Sequence, residues 1–153
     1  MTNNDILRSI RYAFAWNETK MADIFGLAEH QATREQISGW LKKEEEPGYQ
    51  PCSDMLLAIF LNGVITEKRG KKEGPQSPPE QRLTNNIILR KLKIALNCRD
   101  EDMLAILALA DVRLSKHELS AFFRRPDHQH YRECKDQVLR GFLKGVALNY
   151  RGD

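Results

Sequence analysis

Apolar side chains recur along this chain at helical spacing, and they do so twice. Ile6, Leu7, Ile10 and Phe14 fall three and four residues apart, as do Ile88, Leu89, Leu92 and Leu96. This predicts a first helix over about 4–14 and a counterpart over about 86–96. A Thr-Asn-Asn triplet precedes each, and its side-chain oxygens are expected to cap the first turn. Met21, Ile24, Phe25 and Ala28 predict a second helix starting near Glu18, matched by Met103, Ile106, Leu107 and Ala110 after Asp100. The third helix has the clearest start. Thr33 with Gln36, and Ser115 with Glu118, fit the reciprocal capping box, with Ala32 and Leu114 placed to staple onto Ile37 and Leu119. The stripe continues through Trp40 and Leu41, or Phe122 and Phe123, which predicts helices to about Lys43 and Arg125, with Pro47 and Pro126 beyond them as stops. A fourth helix is expected over about 53–68 and 135–150, from Leu57, Phe60, Leu61 and Val64 and from Leu139, Phe142, Leu143 and Val146. Gly63 and Gly145 lie inside it, where glycine costs about 1 kcal/mol relative to alanine. The same cost in both halves predicts a close helix–helix approach, at the contact between the copies. Nothing alternates with period two, so no sheet is expected.

The two series are one series repeated. A shift of about 82 residues superimposes the chain on itself without gaps, with roughly 20 identities in roughly 70 positions. The fold class is therefore all-α, a tandem duplication of a four-helix module with about eight helices in total. The expected division is 1–69 for the first repeat, 70–82 for a linker and 83–153 for the second repeat. Gly70, Gly74, Pro75, Pro78 and Pro79 mark the linker, and its prolines forbid a continuous helix across it.

Composition narrows the class without naming an activity. Apolar residues make up 41% and charged residues 29% of the 153, the balance of a soluble globular protein. No apolar run approaches the roughly 20 residues that span a bilayer, and the first residues show no basic region followed by an apolar stretch. Three widely spaced cysteines, Cys52, Cys98 and Cys134, read as reduced cytoplasmic thiols. The net charge of +3 falls entirely after residue 72, an excess too small to require a nucleic-acid partner.

Chemistry that belongs to the module must recur in both copies. Tyr49, Cys52 and Asp54 form a Tyr-x-x-Cys-x-Asp pattern that returns as Tyr131, Cys134 and Asp136. A helix N-terminus can activate a thiol, but no histidine or second cysteine accompanies it in both copies, so the pattern reads as structural. Asp127, His128, His130 and Cys134 are zinc-ligand types, yet the first copy has no such cluster and the spacing matches no familiar zinc motif. No paired carboxylates, catalytic triad or Gly-rich phosphate loop is present, so neither catalytic residues nor cofactors are expected.

Two binding readings stand. The first is a non-enzymatic helical interaction module with a protein partner. The second is DNA binding, with the second and third helices of each copy acting in the manner of a helix-turn-helix. Its contacts would be Arg34, Lys42 and Lys43 in one copy and Lys116, Arg124 and Arg125 in the other. Against it stand a long connection between the helices and the Glu44-Glu45-Glu46 run, which repels phosphate. The cluster Lys68-Arg69-Gly70-Lys71-Lys72 is expected to keep the linker solvated.

At the level of whole motifs the chain resembles the YehS-like family of bacterial proteins, a domain of unknown function present in two copies. The residues that carry the likeness are 2–8, Trp40-Leu41-Lys42-Lys43, Cys52-Ser53-Asp54, Phe60-Leu61-Asn62-Gly63, 67–72 and 83–89 in the first part. In the second they are 115–124, Tyr131-Arg132-Glu133-Cys134 and Phe142-Leu143-Lys144-Gly145. The resemblance implies a soluble cytoplasmic bacterial protein and supplies no activity, cofactor or catalytic residue.

Overall fold

The computed structural model describes residues 1–151; the last two residues of the expected second repeat, 152 and 153, lie outside the described residues. Among the described residues there are eight helices and no strand. They are α1 (Asn3–Phe14), α2 (Glu18–Leu27), α3 (Arg34–Leu41) and α4 (Asp54–Arg69), then α5 (Asn85–Ala95), α6 (Asp100–Leu109), α7 (Lys116–Ala121) and α8 (Asp136–Arg151). Both capping boxes on the third helices form: the Gln36 amide nitrogen donates to Thr33 Oγ1 and that of Glu118 to Ser115 Oγ, each at 3.0 Å. The third helices stop short of expectation. Lys42 is extended at the end of α3, and α7 has only six residues.

The long helices pack across the copies. α1 lies chiefly on α8, and α4 on α5, while α2 and α6 each pack on the last helix of their own copy. Contacts at both ends show that the four long helices run in the same direction. At one end Asn3 bonds to Asp54, Asn85 to Asp136, and the Leu83 amide to Asp54. At the other, Arg69 reaches Ile94 and Arg151 reaches Tyr12. A parallel bundle needs a return after every long helix. α2 and α3, or α6 and α7, supply it within a copy. Between copies the linker must climb back along the 16 residues of α4, about 24 Å at helical rise. The stretch 70–84 can span up to about 50 Å when extended. It is pinned on the way by Gln76, whose amide donates to the Leu27 carbonyl at 2.9 Å, and by Glu80, 2.9 Å from Lys91.

Parallel helices align their dipoles, and the charges follow. Asp5, Asp54 and Asp136 sit in first turns, and Arg11, Lys68, Arg69, Lys93 and Arg151 in last turns.

Gly63 and Gly145 do permit a close approach, but within each copy rather than between copies. A Cβ on Gly63 would lie 2.1 Å from the Ile24 carbonyl oxygen of α2, and one on Gly145 equally close to that of Ile106 in α6. The copies instead meet along α1–α8 and α4–α5, whose apolar stripes need no such contact.

Candidate functional site

The repeated Tyr-x-x-Cys-x-Asp pattern sits where α1, the loop after α3 and the start of α4 converge. Only the threonine of each Thr-Asn-Asn triplet caps a helix; the asparagines reach across to this loop instead. Buried Asn4 donates to the carbonyls of Trp40 and Gln50, both at 2.9 Å, and accepts from the Cys52 amide at 3.0 Å. Asn86 repeats this with Phe122, Arg132 and Cys134, at 3.0, 2.8 and 2.9 Å. Tyr49 donates to the Asn4 oxygen at 3.3 Å, and Tyr131 is half-buried at the matching position. Asn3 donates to the Cys52 carbonyl and to Asp54, as Asn85 does to Cys134 and Asp136. Each aspartate then crosses to the other copy. Asp54 accepts the Leu83 amide at 2.8 Å, and Asp136 lies 3.6 Å from the Met1 amine, the residue equivalent to Leu83. The polar groups of this cluster bond to one another and join the copies.

Its thiols are poorly placed for nucleophilic work. Burial, with Asp54 beside it, pushes the Cys52 thiol up to about 12, and burial with Asp136 does the same to Cys134. Half-buried Cys98 is also raised, by burial and by Asp102. At neutral pH such groups stay protonated and weakly nucleophilic.

The proposed groove-binding residues do not share a helical face. Arg34 and Lys116 lie exposed on first turns. The others lie beyond the helices and shape the following loop. Lys42 Nζ donates to the Pro47 carbonyl at 2.9 Å, and the Lys43 amide donates to Glu46. Arg124 donates to the His130 carbonyl at 3.2 Å, and Arg125 is 3.6 Å from Asp127. No group of three or more metal-ligand side chains comes together among the described residues. His128 and His130 are neighbours with ring centroids 5.6 Å apart, but Cys134 is buried 1% exposed and its Sγ faces the Lys135 carbonyl.

The structure assembles a surface that the repeat did not disclose, at the end of the bundle where all four long helices terminate. Two open hollows lie there. One, of about 440 Å³, is lined by Phe14, Trp16, Lys68, Tyr150 and Arg151. The other, of about 460 Å³, is lined by Arg69, Arg90, Lys93, Ile94, Cys98 and Phe123. Phe14 and Trp16 stack with centroids 4.9 Å apart, and Tyr150 meets Phe14 edge-on at 5.2 Å. Lys68 Nζ sits 4.0 Å from the centre of the Phe14 ring and 5.6 Å from that of Tyr150. Burial lowers the Lys68 ammonium below its ordinary value; Glu67 opposes the shift and Lys20 adds to it. Lys68 and Tyr150 are equivalent residues of the two copies, so they meet where the pseudo-twofold axis emerges. Lys68 and Arg69 therefore belong to the last turn of α4 and reach Phe14 and the end of α5 rather than solvating the linker.

Comparison with known proteins agrees with the duplication. Residues 3–70 and 85–152 each match the family described as "Protein of unknown function (DUF1456)". The chain is also 50% identical over 148 residues to the "Uncharacterized protein YehS" of Escherichia coli (strain K12), covering 96% of this chain and 95% of that one. No solved structure matches it.

Proposed function

The chain belongs to this family of duplicated domains of unknown function, and we propose on that premise that it is a non-enzymatic binding module whose ligand-engaging surface is the end of the bundle where α1, α4, α5 and α8 terminate. The observation that carries the reading is the pair of hollows at that end, one lined by Lys68 and Tyr150 and the other by Arg69, the next residue of α4. Both copies build this surface, and it leaves large side chains accessible: Tyr12 is 48%, Ile94 45% and Tyr150 46% exposed. Clustered exposed aromatics rimmed by charge are a mark of binding surfaces. The absence of catalysis is supported by the thiols held in their protonated form and by the internal pairing of the repeated polar cluster. The partner expected from the duplication is a protein, and the cations Lys68, Arg69, Arg90 and Lys93 that line the hollows suit acidic groups on it. Three free thiols suit a reducing cytoplasm as the place of action, and no described helix is long and apolar enough to cross a membrane.

A photo-crosslinking residue placed at 150 or 94, in the cell that makes the protein, tests this. Discrete adducts are expected from both positions and none from position 137, at the opposite end of α8. No adduct, or the same adducts from all three, overturns the reading.

A further inference from the structure

We propose that the side of the bundle formed by α6, α8 and α1 binds an extended, proline-containing segment of a partner protein, seated between the Leu109 carbonyl and the Lys144 ammonium. This adds a second surface to the one at the end of the bundle and does not depend on it.

The linker shows what such a face holds. It returns across the side formed by α2, α4 and α5, the pseudo-twofold counterpart of α6, α8 and α1. Two of its side chains anchor it there. The Gln76 amide donates to the Leu27 carbonyl, at the end of α2, at 2.9 Å. Four residues on, the Glu80 carboxylate lies 2.9 Å from the Lys91 ammonium, which also donates to Asn62 at 2.6 Å. Pro75, Pro78 and Pro79 favour an extended chain, in which four residues span about 12 Å. A segment already extended loses little freedom when it docks.

The second copy keeps both anchor points. Leu109 stands where the first copy has Leu27, and among the described residues nothing donates to its carbonyl. The cation and its neutral neighbour are also kept, exchanged between the helices: Asn62 of α4 and Lys91 of α5 become Lys144 of α8 and Ser9 of α1. Lys144 is exposed and pairs with no described residue. The apolar floor persists as well. Ile59, 8% exposed, is replaced by Gly141, and Val112 fills the space, since a Cβ on Gly141 would lie 2.5 Å from Val112 Cγ2. The difference is the cover. Leu27 is half-buried beside the linker, whereas Leu109 is 50% exposed. A face with both anchors and the floor, and no described segment bonded to either anchor, fits a strap brought by another molecule.

The charges around this face define the segment. Asp5 of α1 is held by Arg8, and the Ser9 hydroxyl is turned to the Asp5 carbonyl of its own helix. Arg140, one turn before Lys144, has Asp136 within electrostatic reach. Asp111 and Arg113, which follow α6, are one of each sign. Lys144 is the cation left over. The segment therefore brings one carboxylate for Lys144 and, four residues before it, a side-chain donor for the Leu109 carbonyl.

The test uses a synthetic peptide with the sequence of residues 73–83, titrated into the isotope-labelled full chain and followed by amide chemical shifts. The tethered linker holds its own face at high effective concentration, which leaves the second face to the free peptide. Saturable shifts are expected at Leu109, Val112, Lys144 and Ser9, with a Kd on the order of 1 mM, and none at Leu27, Asn62 or Lys91. Lys144→Glu, at an exposed position where folding is not at stake, should weaken binding about fivefold or more. The same peptide carrying Gln76→Ala and Glu80→Ala should bind about tenfold more weakly. No shifts at about 5 mM peptide, shifts confined to the first copy's face or to the end of the bundle, or unchanged affinity in Lys144→Glu overturns the proposal. Self-association that moves the same amides without peptide overturns it too, and makes a second copy of the chain the occupant.

Discussion

Arg151, in the last turn of α8, donates to the carbonyl oxygen of Tyr12 in α1 at 2.9 Å, and its guanidinium lies 4.2 Å from the centre of the Tyr12 ring. Arg69 in α4 makes the equivalent bond to Ile94 in α5 at 3.4 Å and a second to Asn97 at 2.5 Å. Each copy thus uses its last helix to supply a second donor to a carbonyl at the end of the other copy's first helix, Tyr12 already accepting from the Ala15 amide and Ile94 from that of Asn97, both at 3.1 Å. Together with Asp54 and Asp136 at the opposite end, these contacts tie the copies at both ends of each long pair.

That interlock predicts what happens when the chain is cut. The stretch 70–77 is exposed and carries few contacts, so a protease site can be placed there. After cleavage the halves are expected to stay associated through size-exclusion chromatography, with the helical content unchanged. Separation into two folded monomers would mean that α1–α8 and α4–α5 are not the principal contacts.

The glycines give a paired test with opposite signs. Gly63→Ala adds a Cβ 2.1 Å from the Ile24 carbonyl, so α2 must move away from α4. The helix-propensity gain of about 1 kcal/mol is outweighed, and a net loss of about 1–3 kcal/mol is expected; Gly145→Ala should behave alike. Gly26→Ala, inside α2, meets nothing within 4 Å and should stabilise by up to about 1 kcal/mol. Urea denaturation reads all three. Equal effects at 26 and 63 would show that close approach is not what keeps Gly63.

Much of this architecture is legible from periodicity, because each helix buries one stripe and the stripes repeat. The pairing of helices is not. Ile6, Leu7 and Ile10 are buried whether α1 packs on its own α4 or on the other copy's α8, so the pattern is the same for both topologies. Several helix ends are also silent. Ala15, Glu29, Asn97 and Asp111 take positive φ between 53° and 61°, the left-handed conformation that glycine usually announces. The proposed binding surface escapes for a third reason. Phe14 and Trp16 correspond to Leu96 and Cys98, and Lys68 to Tyr150, so a search for chemistry repeated in both copies passes over it. Residues near a pseudo-twofold axis meet their own equivalents and can differ without breaking the fold.

The asparagine clamps are the least replaceable polar groups in the core. Asn4 is 2% exposed and serves two carbonyls and one amide of the loop between α3 and α4. Asn4→Leu keeps the branched outline of the side chain but strands those three backbone groups, a loss of about 2–4 kcal/mol by the cost of buried unpaired polar atoms. Asn86→Leu should cost as much. Thermal melting with hydrogen exchange at the Cys52 and Cys134 amides checks this: both amides should lose protection in the matching variant. Unchanged stability would show that water replaces the clamp.

The two buried thiols make the alkaline limb of stability informative. In the unfolded chain a cysteine ionises near pH 8.5, whereas burial pushes Cys52 and Cys134 up to about 12 when folded. Above the unfolded value the folded state therefore holds more protons than the unfolded one, and stability falls as pH rises. Their contribution is fully present below about pH 8 and declines progressively from there towards the folded value near 12. Replacing both residues with alanine removes this term. The double variant should be less stable at pH 7, through lost packing, but its stability should fall less steeply between pH 8.5 and 10.5 than that of the parent. Denaturant midpoints across that range measure the two slopes. Parallel slopes would mean that the thiols ionise alike in both states, and rapid alkylation of Cys52 and Cys134 at neutral pH would then be expected as well.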